Sequence, residues 1–247
     1  MSEKDTLFQD PSLEAERFAF DRRVVRVFPD MIRRSVPGYG VIIPSIALLA
    51  RRYVQPDSNL YDLGCSLGAV SFAILDAVPD RGNQLIAIDQ SAEMIRKIKT
   101  LADERRQAAS IEEIPLRIEE ADILETPVDN ASFVVLNFTL QFIEPALREA
   151  LVKKIAAGMR PGGALVLSEK IRFADDGEEA RQYAWHLDFK RAQGYSELEI
   201  ARKRDALEKT LRPDTIETHF ERLHHAGFSG ACRWFQCFNF ASIVAFR

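Results

Sequence analysis

The sequence predicts an α/β fold in which helices flank a doubly wound, mostly parallel sheet of seven strands. Short segments rich in Leu, Ile and Val alternate with helical patterns between residues 59 and 169. Such alternation implies right-handed crossovers and hence parallel strands. Two further strand patterns end the chain, at about 231–237 and 240–246. Helical patterns also precede the first strand and follow the fifth.

The N-terminal part of the chain predicts an arm followed by two helices. Residues 1–20 are polar with scattered phenylalanines and predict a mobile or docking arm. Residues 21–35 are amphipathic, with an apolar stripe interrupted by Pro29. Pro37 and Gly38 then signal a turn, and residues 41–53 predict a second helix.

The next segments predict the five parallel strands and the helices that connect them. The strands are expected at Asn59–Leu63, Gln84–Asp89, Pro115–Glu119, Phe133–Asn137 and 164–169. The connecting helices are expected at 68–77, 92–105 and 145–159, with Ser91 as a cap of the second. The run from Arg160 to Gly163 predicts a sharp turn before the fifth strand.

Beyond the fifth strand the pattern is again helical. Residues 174–208 predict two helices divided at 193–195, and Ser196 with Glu199 forms a capping-box pattern. Another helix is expected at 214–226. The helix-rich segment 171–210 is predicted to form an insert above the carboxyl ends of the strands, where open α/β sheets bind ligands. We predict one α/β domain over 1–247, with the N-terminal arm and helices in 1–55.

Composition excludes several classes of protein. The formal net charge of −4 argues against tight binding to a nucleic acid backbone. The three cysteines, Cys65, Cys232 and Cys237, offer neither a disulfide framework nor a zinc motif. No apolar segment approaches the ~20 residues that span a bilayer, and the N-terminus lacks a leader pattern. We therefore expect a cytoplasmic enzyme with no metal and no membrane contact.

Polar side chains lie at the ends of the first four strands: Asp62, Asp89, Asp122 and Asn137. We expect them to project into one crevice. A carboxylate at the end of the second strand can accept two hydrogen bonds from a ribose diol. The Gly64–Gly68 loop allows close approach of the backbone to a ligand. Because this loop lacks both the GxGxxG spacing and a phosphate-binding lysine, NAD and ATP are weaker interpretations.

The loop, the acids at the strand ends and the Arg160–Gly163 turn together resemble the class I S-adenosyl-L-methionine (SAM)-dependent methyltransferase fold. This resemblance implies a SAM-binding domain. Individual signals have structural alternatives, since Gly64 and Gly68 could be turn glycines and Asp122 could cap a turn. Cys65 is interpreted as a small loop residue rather than a nucleophile.

Longer motifs carry a closer resemblance, which extends from about residue 4 to 246. They are VFPDMI (27–32), RSVPGY (34–39), YDLGCSLG (61–68), NFTLQF (137–142), LSEK (167–170), GYSELEI (194–200) and WFQCFNF (234–240). On these motifs the chain resembles the carboxy-SAM synthase family. The resemblance implies conversion of SAM and prephenate to carboxy-SAM and phenylpyruvate. It also implies a homodimer that does not itself bind nucleic acid. Its product would serve a tRNA carboxymethyltransferase that forms wobble-uridine 5-oxyacetic acid.

The resemblance also implies the site residues. The ligand contacts carried over are Tyr39, Gly64, Cys65, Ser66, Asp89, Gln90, Asp122, Ile123, Asn137 and Arg204. Arg204 is in addition the predicted catalytic residue, because a guanidinium can hold the new carboxylate with two parallel hydrogen bonds. The alternative places Arg204 on a solvated basic helix face. Gln90 departs from the family pattern, which has Asn there, and the segment between Ser91 and Asp122 is a few residues longer.

The implied chemistry needs little from a general base. The SAM sulfonium acidifies its methyl protons, and prephenate supplies carbon dioxide together with a hydroxide as it aromatises, so proximity and exclusion of water are the main requirements. Of the four histidines, His219, His224 and His225 are expected in surface or core roles. Arg172 is a candidate for recruiting the dianionic donor. Two other functions stay open: a conventional methyltransferase of a small molecule or RNA, and a non-catalytic SAM-binding scaffold.

Overall fold

The computed structural model describes residues 3–9, 21–108, 113–208 and 210–247. Its sheet has seven strands in the order β3-β2-β1-β4-β5-β8-β7, with a short eighth strand, β6, beside β5. The strands are β1 (Asn59–Leu63), β2 (Gln84–Asp89), β3 (Leu116–Glu120), β4 (Ala131–Asn137), β5 (Met159–Arg172), β6 (Asp214–Thr215), β7 (Gly230–Cys237) and β8 (Phe240–Phe246). The predicted α/β fold is confirmed.

Helices cover both faces of this sheet and precede it in the chain. In the described residues they are α1 (Arg22–Ser35), α2 (Tyr39–Tyr53), α3 (Ala69–Ala77), α4 (Ala92–Ala108), α5 (Pro145–Gly158), α6 (Asp176–Ala192), α7 (Glu197–Glu208) and α8 (Ile216–His225). A 3₁₀ turn at Leu140–Phe142 follows β4. No helix in these ranges is long and apolar enough to cross a membrane.

The chain order of the strands creates a crevice at the centre of the sheet. β1 pairs in parallel with β2 on one side and with β4 on the other. Successive connections therefore leave β1 in opposite directions, which opens a gap above the carboxyl ends of β1 and β4. β8 runs antiparallel to β5 and to β7, so the sheet is mostly, rather than wholly, parallel.

The side chains of β4 alternate between two apolar layers. Phe133 and Val135 pack in one layer, whereas Val134 and Leu136 pack in the other. Period-two alternation places successive side chains on opposite faces. Since helices cover both faces, β4 is apolar along nearly its whole length. This explains why a continuous apolar run predicted the strand.

The start of β5 and the presence of β6 beside it differ from the prediction. The expected turn at Arg160–Gly163 is wrong as a strand boundary, because β5 already begins at Met159, which pairs with Ala131. The strand absorbs the irregularity through a register shift and through Gly162, whose φ is +79°. The N–H of Gly162 donates to the carbonyl of Arg247 (2.7 Å), so the end of the chain pairs with this segment. The two-residue β6 was not predicted.

The N-terminal segment is more ordered than its composition indicated. α1 continues through Pro29, which lies inside the helix. Its apolar stripe packs within the chain, where Val24, Val27 and Met31 contact Met94 of α4. Residues 3–9 dock against the fold; the remainder of the predicted arm, 10–20, lies outside the described residues.

The insert divides into α6 and α7 at 193–195, as predicted. At the start of α7 the N–H of Ser196 donates to Glu199 Oε2 (2.8 Å), and the N–H of Glu199 donates to Ser196 Oγ (3.3 Å). These reciprocal bonds form a capping box, which satisfies donors that the first helical turn leaves unpaired. The local motif therefore fixes where α7 begins.

Candidate functional site

A cavity of about 540 Å³ lies between the carboxyl ends of the strands and helices α1, α6 and α7. This volume lies in the range of small-molecule sites. Its lining includes all ten residues that the sequence nominated: Tyr39, Gly64, Cys65, Ser66, Asp89, Gln90, Asp122, Ile123, Asn137 and Arg204. The structure thus brings the ten together, while their contacts with a ligand stay a prediction.

Two sides of the cavity have different origins. The strand-end wall consists of the Gly64–Gly68 loop and the polar residues that follow the parallel strands. The basic wall comes from the insert and the end of β5. Lining members of the strand-end wall include Asp62, Asp89, Asp122 and Asn137, and those of the basic wall include Lys170, Tyr183, His186, Lys190, Lys203 and Arg204.

The Gly64 loop packs too closely against Thr139 for any residue but glycine, and Asp89 holds it by hydrogen bonds. Gly64 has a φ of +83°, and a Cβ there would lie 2.4 Å from Thr139 Oγ1. The N–H of Ser66 donates to Asp89 Oδ2 (2.9 Å), and the N–H of Ser91 donates to Asp89 Oδ1 (2.9 Å). Burial raises the pKa of Asp89. Each carboxylate oxygen keeps a lone pair beyond these bonds, so Asp89 can both fix the loop and accept from a diol.

Asp62 lies deeper in the same wall. The N–H and the hydroxyl of Ser71 both donate to its Oδ2, at 3.1 and 2.6 Å. Burial raises the pKa of Asp62 to about 6, although the bonds from Ser71 oppose this. Tyr39, at the start of α2, lies near it, and burial raises the pKa of the Tyr39 phenol. Asp62 therefore anchors the start of α3 beneath the cavity floor.

The last two strand ends supply different groups. Asp122 Oδ1 accepts from the N–H of Leu124 (2.8 Å), so it caps a turn and also lines the cavity. The turn-capping alternative for Asp122 is confirmed, and its contact with a ligand stays a prediction. Asn137 Oδ1 is buried and has no partner among the described residues. Since a buried polar atom costs free energy unless it is bonded, Asn137 is suited to a donor supplied by a ligand. These features fit an amino-acid nucleoside such as SAM.

Arg204 faces the cavity of its own chain from α7. Its side chain is half exposed, and Nε and Nη2 donate to Asp205 Oδ1 at 3.0 and 2.9 Å. Hydrogen bonds that the guanidinium donates to Asp205 and then to Tyr183 raise its pKa. Exposed ion pairs contribute little to stability, so a ligand carboxylate can replace Asp205 at small cost. The role of Arg204 toward a ligand stays a prediction.

A buried ion pair holds the basic wall to the N-terminal arm. Lys203 Nζ lies 3.3 Å from Asp5 Oδ2 and donates to Ser35 Oγ (2.7 Å). The hydroxyl of Tyr195 also donates to Asp5 Oδ2 (2.6 Å). Burial lowers the pKa of Lys203 to about 8, and Asp5 opposes that shift. One carboxylate from the start of the chain thus sits among polar groups of α1, α7 and the turn before α7.

Sequence reasoning missed most of the basic wall. Lys190 and His186 of α6 and Lys170 of β5 line the cavity, whereas Arg172 is exposed and is not part of the lining. The recruitment suggested for Arg172 is therefore not supported. The available signal was spacing: Tyr183, His186 and Lys190 recur at helical intervals of three and four residues.

The other titratable candidates have structural surroundings. His219 is buried on α8, while His224 and His225 are exposed. Burial, reinforced by Asp62 and Asp89, raises the pKa of the Cys65 thiol. In the described ranges no group of three or more metal-ligating side chains is positioned to hold an ion.

Comparisons with known proteins add family information to this geometry. A family model described as a methyltransferase domain matches residues 60–163. The chain is 53% identical over 246 residues to the carboxy-S-adenosyl-L-methionine synthase of Pseudomonas entomophila, covering 98% of both chains. It is 51% identical over 243 residues to the enzyme of the same name from a Geobacter species, again covering 98% of both.

Solved structures support the fold. A SAM-dependent methyltransferase from Methanococcus maripaludis has a TM-score of 0.57 and 19% identity, over 95% of this chain and 97% of that one. Human N-acetylserotonin methyltransferase, solved with SAM, has a TM-score of 0.58 and 16% identity, over 91% of this chain and 55% of that one. At these identities the likeness concerns the fold alone.

Proposed function

Because the chain belongs to the family of carboxy-S-adenosyl-L-methionine synthases, we propose that it converts SAM and prephenate to carboxy-SAM and phenylpyruvate. It is a SAM-dependent, methyltransferase-like transferase. The observation that carries the proposal is that one cavity is lined by both the strand-end wall and the basic wall. An acceptor-rich wall suits the adenosyl and amino-acid parts of SAM, and a wall of cations suits carboxylates.

The overall reaction balances without a further reactant. The bond between the prephenate ring and its carboxylate breaks, and its electron pair aromatises the ring and expels the ring hydroxyl as hydroxide. That hydroxide takes one methyl proton of SAM and becomes water. The methyl carbon then bonds to the released carbon dioxide. The products are carboxy-SAM, phenylpyruvate and water.

The protein's part in this scheme is to position and enclose the reactants. The sulfonium polarises its own methyl group, and the hydroxide comes from the donor. Asp89 and Asn137 orient SAM, and Arg204 holds the carboxylate that forms on the methyl carbon. Proximity of this kind replaces a bimolecular encounter, and exclusion of water protects the hydroxide and carbon dioxide from bulk solvent.

The test is to incubate the purified full chain with SAM and prephenate and to analyse the nucleosides by mass spectrometry. The expected product is SAM that has gained one carboxyl group, with an equal amount of phenylpyruvate. If S-adenosylhomocysteine and a methylated acceptor form instead, the protein is a conventional methyltransferase. If SAM binds but neither product forms with either donor or acceptor, it is a non-catalytic scaffold.

Three wider assignments belong to the same proposal. Carboxy-SAM made here serves a tRNA carboxymethyltransferase that completes the wobble-uridine modification, and the reaction takes place in the cytoplasm. The protein acts as a homodimer. Val41 and Leu48 of α2 support a contact between copies, because their side chains are 55% and 66% exposed. Sedimentation of the full chain tests the dimer.

A further inference from the structure

One face of α6 forms part of the cavity lining. Tyr183, His186, Leu187 and Lys190 follow one another at helical spacings of three, one and three residues, and all four line the cavity. Residues at these spacings share one side of a helix. Three of the four are titratable groups that the scheme above does not use, and two of these, His186 and Lys190, are buried.

Lys190 is a buried cation without a counter-ion among the described residues. Its residue is 8% exposed. No described carboxylate pairs with its ammonium, and the charged neighbours that influence it are Lys203 and Lys170, both cations. Burial first, and then these two neighbours, lower the pKa of Lys190 to about 7. A buried ammonium is unfavourable without a counter-ion, so an anion that enters the cavity would stabilise the charged form of Lys190.

The two neighbouring cations have different surroundings. Lys203 has Asp5 at 3.3 Å and Ser35 Oγ at 2.7 Å. Lys170 lies 6.0 Å from the ring centroid of Tyr183. Since Asp5 is engaged by Lys203, it does not compensate Lys190. Among the described residues, Lys190 therefore remains a buried cation to which no carboxylate is bonded.

His186 adds a neutral acceptor next to Lys190 on the same face. Its Nε2 is 2.9 Å from the carbonyl oxygen of Ser35, which can only accept, so Nε2 carries the proton. Burial, followed by Lys190, lowers the pKa of His186 to about 3 and keeps the ring neutral. Nδ1 is consequently an acceptor, and it is buried without a partner among the described residues. A ligand with both an anionic group and a hydroxyl donor complements this corner.

We propose that Lys190, flanked by Lys170 and Lys203, binds a carboxylate of the anionic donor, so that this face of α6 is the subsite of the second substrate. The identity of the donor as prephenate rests on the proposed function. The preference for a small hydroxycarboxylate follows from Lys190 and His186 themselves. SAM then occupies the strand-end wall, and the donor enters from the basic wall.

The test separates donor binding from catalysis. Prephenate is titrated calorimetrically into the full chain saturated with S-adenosylhomocysteine, which lacks the methyl carbon and cannot react. Lys190→Met keeps the length of the side chain and removes its charge, whereas Lys190→Arg keeps the charge. Lys99→Met on the exposed side of α4 is the matched control, because it removes the same charge far from the cavity lining.

We expect Lys190→Met to raise the Kd for prephenate at least roughly tenfold, as loss of a charge-assisted hydrogen bond does. Affinity for S-adenosylhomocysteine should stay within about twofold of wild type, which shows that the variant is folded. Lys190→Arg should retain most of the prephenate affinity, and Lys99→Met all of it. Equal prephenate affinity in wild type and Lys190→Met, or no prephenate binding by wild type, would overturn the subsite.

Turnover assays distinguish this proposal from the proposed function. If Lys190→Met makes carboxy-SAM with the wild-type KM for prephenate, the subsite is wrong and the synthase function stands. If wild type binds prephenate through Lys190 but yields no carboxy-SAM, the subsite stands and the synthase function is wrong.

Discussion

The strand-end wall presents carboxylates and an amide, whereas the basic wall presents lysines, an arginine and a neutral histidine. The first is built from residues next to strand ends, and backbone N–H groups of the adjoining loops hold it in place, such as those of Ser66 and Ser91, which donate to the Asp89 carboxylate. The second depends on contacts between distant parts of the chain, such as Asp5 with Lys203. Opposite charges across one cavity suit two ligands of opposite charge. The contrast also indicates that the two walls should respond differently to mutation.

The largest expected effect is on the stability of the basic wall. Asp5→Ala leaves Lys203 buried without its carboxylate and should lower the free energy of unfolding by about 3–5 kcal/mol. Urea unfolding of the full chain measures this. In the double variant Asp5→Ala/Lys203→Met part of the loss should be recovered, because no uncompensated charge remains. As a control, Glu149→Ala breaks the exposed pair with Lys153 and should leave the midpoint unchanged.

A smaller effect, on ligand preference, is expected from Arg204. Arg204→Met should weaken carboxy-SAM binding roughly 10- to 100-fold, since two charge-assisted bonds are lost, and should leave SAM binding nearly unchanged. Calorimetry with each nucleoside measures both affinities. Asp205→Ala, which removes the present partner of the guanidinium, should not weaken carboxy-SAM binding. Equal carboxy-SAM affinity in wild type and Arg204→Met would contradict the assigned role.

A substitution in the strand-end wall should weaken the binding of SAM and of carboxy-SAM equally, and so leave the preference between them unchanged. Asp89→Asn replaces a double acceptor by a single one and should weaken SAM and carboxy-SAM alike by about tenfold. The same titrations test this. A selective loss of carboxy-SAM binding would show that the division of labour between the walls is wrong.

The smallest effect is a pH dependence that belongs to the basic wall. The pKa of Lys190 is lowered from 10.5 to about 7 in the folded protein. Between about pH 7 and 10 the unfolded state therefore holds a proton on Lys190 that the folded state has released, and the free energy of unfolding of wild type rises with pH. Lys190→Met should therefore be more stable than wild type at pH 7, and this gap should shrink by on the order of 1 kcal/mol by pH 9. Lys170, Lys203 and His186 face position 190 in both proteins. Their own contributions to the pH dependence therefore cancel when the free energies of unfolding of the two proteins are subtracted.

Urea unfolding of wild type and Lys190→Met at the two pH values measures that gap. Lys99→Met, an exposed lysine variant, should show the same gap to wild type at both. A gap for Lys190→Met that stays constant or widens would mean that Lys190 does not titrate as a buried cation.

The strand-end wall could be predicted from sequence because its signals are local. An apolar run followed by glycine, acid or amide marks a strand end, and parallel topology brings such ends to one edge of the sheet. Asp89 and Asn137 were found in this way. The resemblance, rather than any periodicity, pointed to Tyr39 and Arg204.

The basic wall could not be predicted to the same extent, because burial of a lysine depends on what packs over it. Lys190 lies in a charged helix, and a lysine there is ordinarily exposed. Its burial follows from the packing of α1, α6 and α7. Asp5 stabilises this packing through its contact with Lys203, which lies 198 residues further along the chain. The β5 boundary failed for a related reason, since pairing with Ala131 and Arg247 overrides the turn preference of Pro161 and Gly162.

Cys65 lies in the lining of the cavity that is proposed to bind SAM, whose methyl group is electrophilic. A thiolate at this position would be a strong nucleophile toward a sulfonium. Burial and the neighbouring Asp62 and Asp89 raise the thiol pKa and keep the sulfur protonated. Under the proposed function, burial and these two carboxylates would therefore protect the loop from alkylation by SAM.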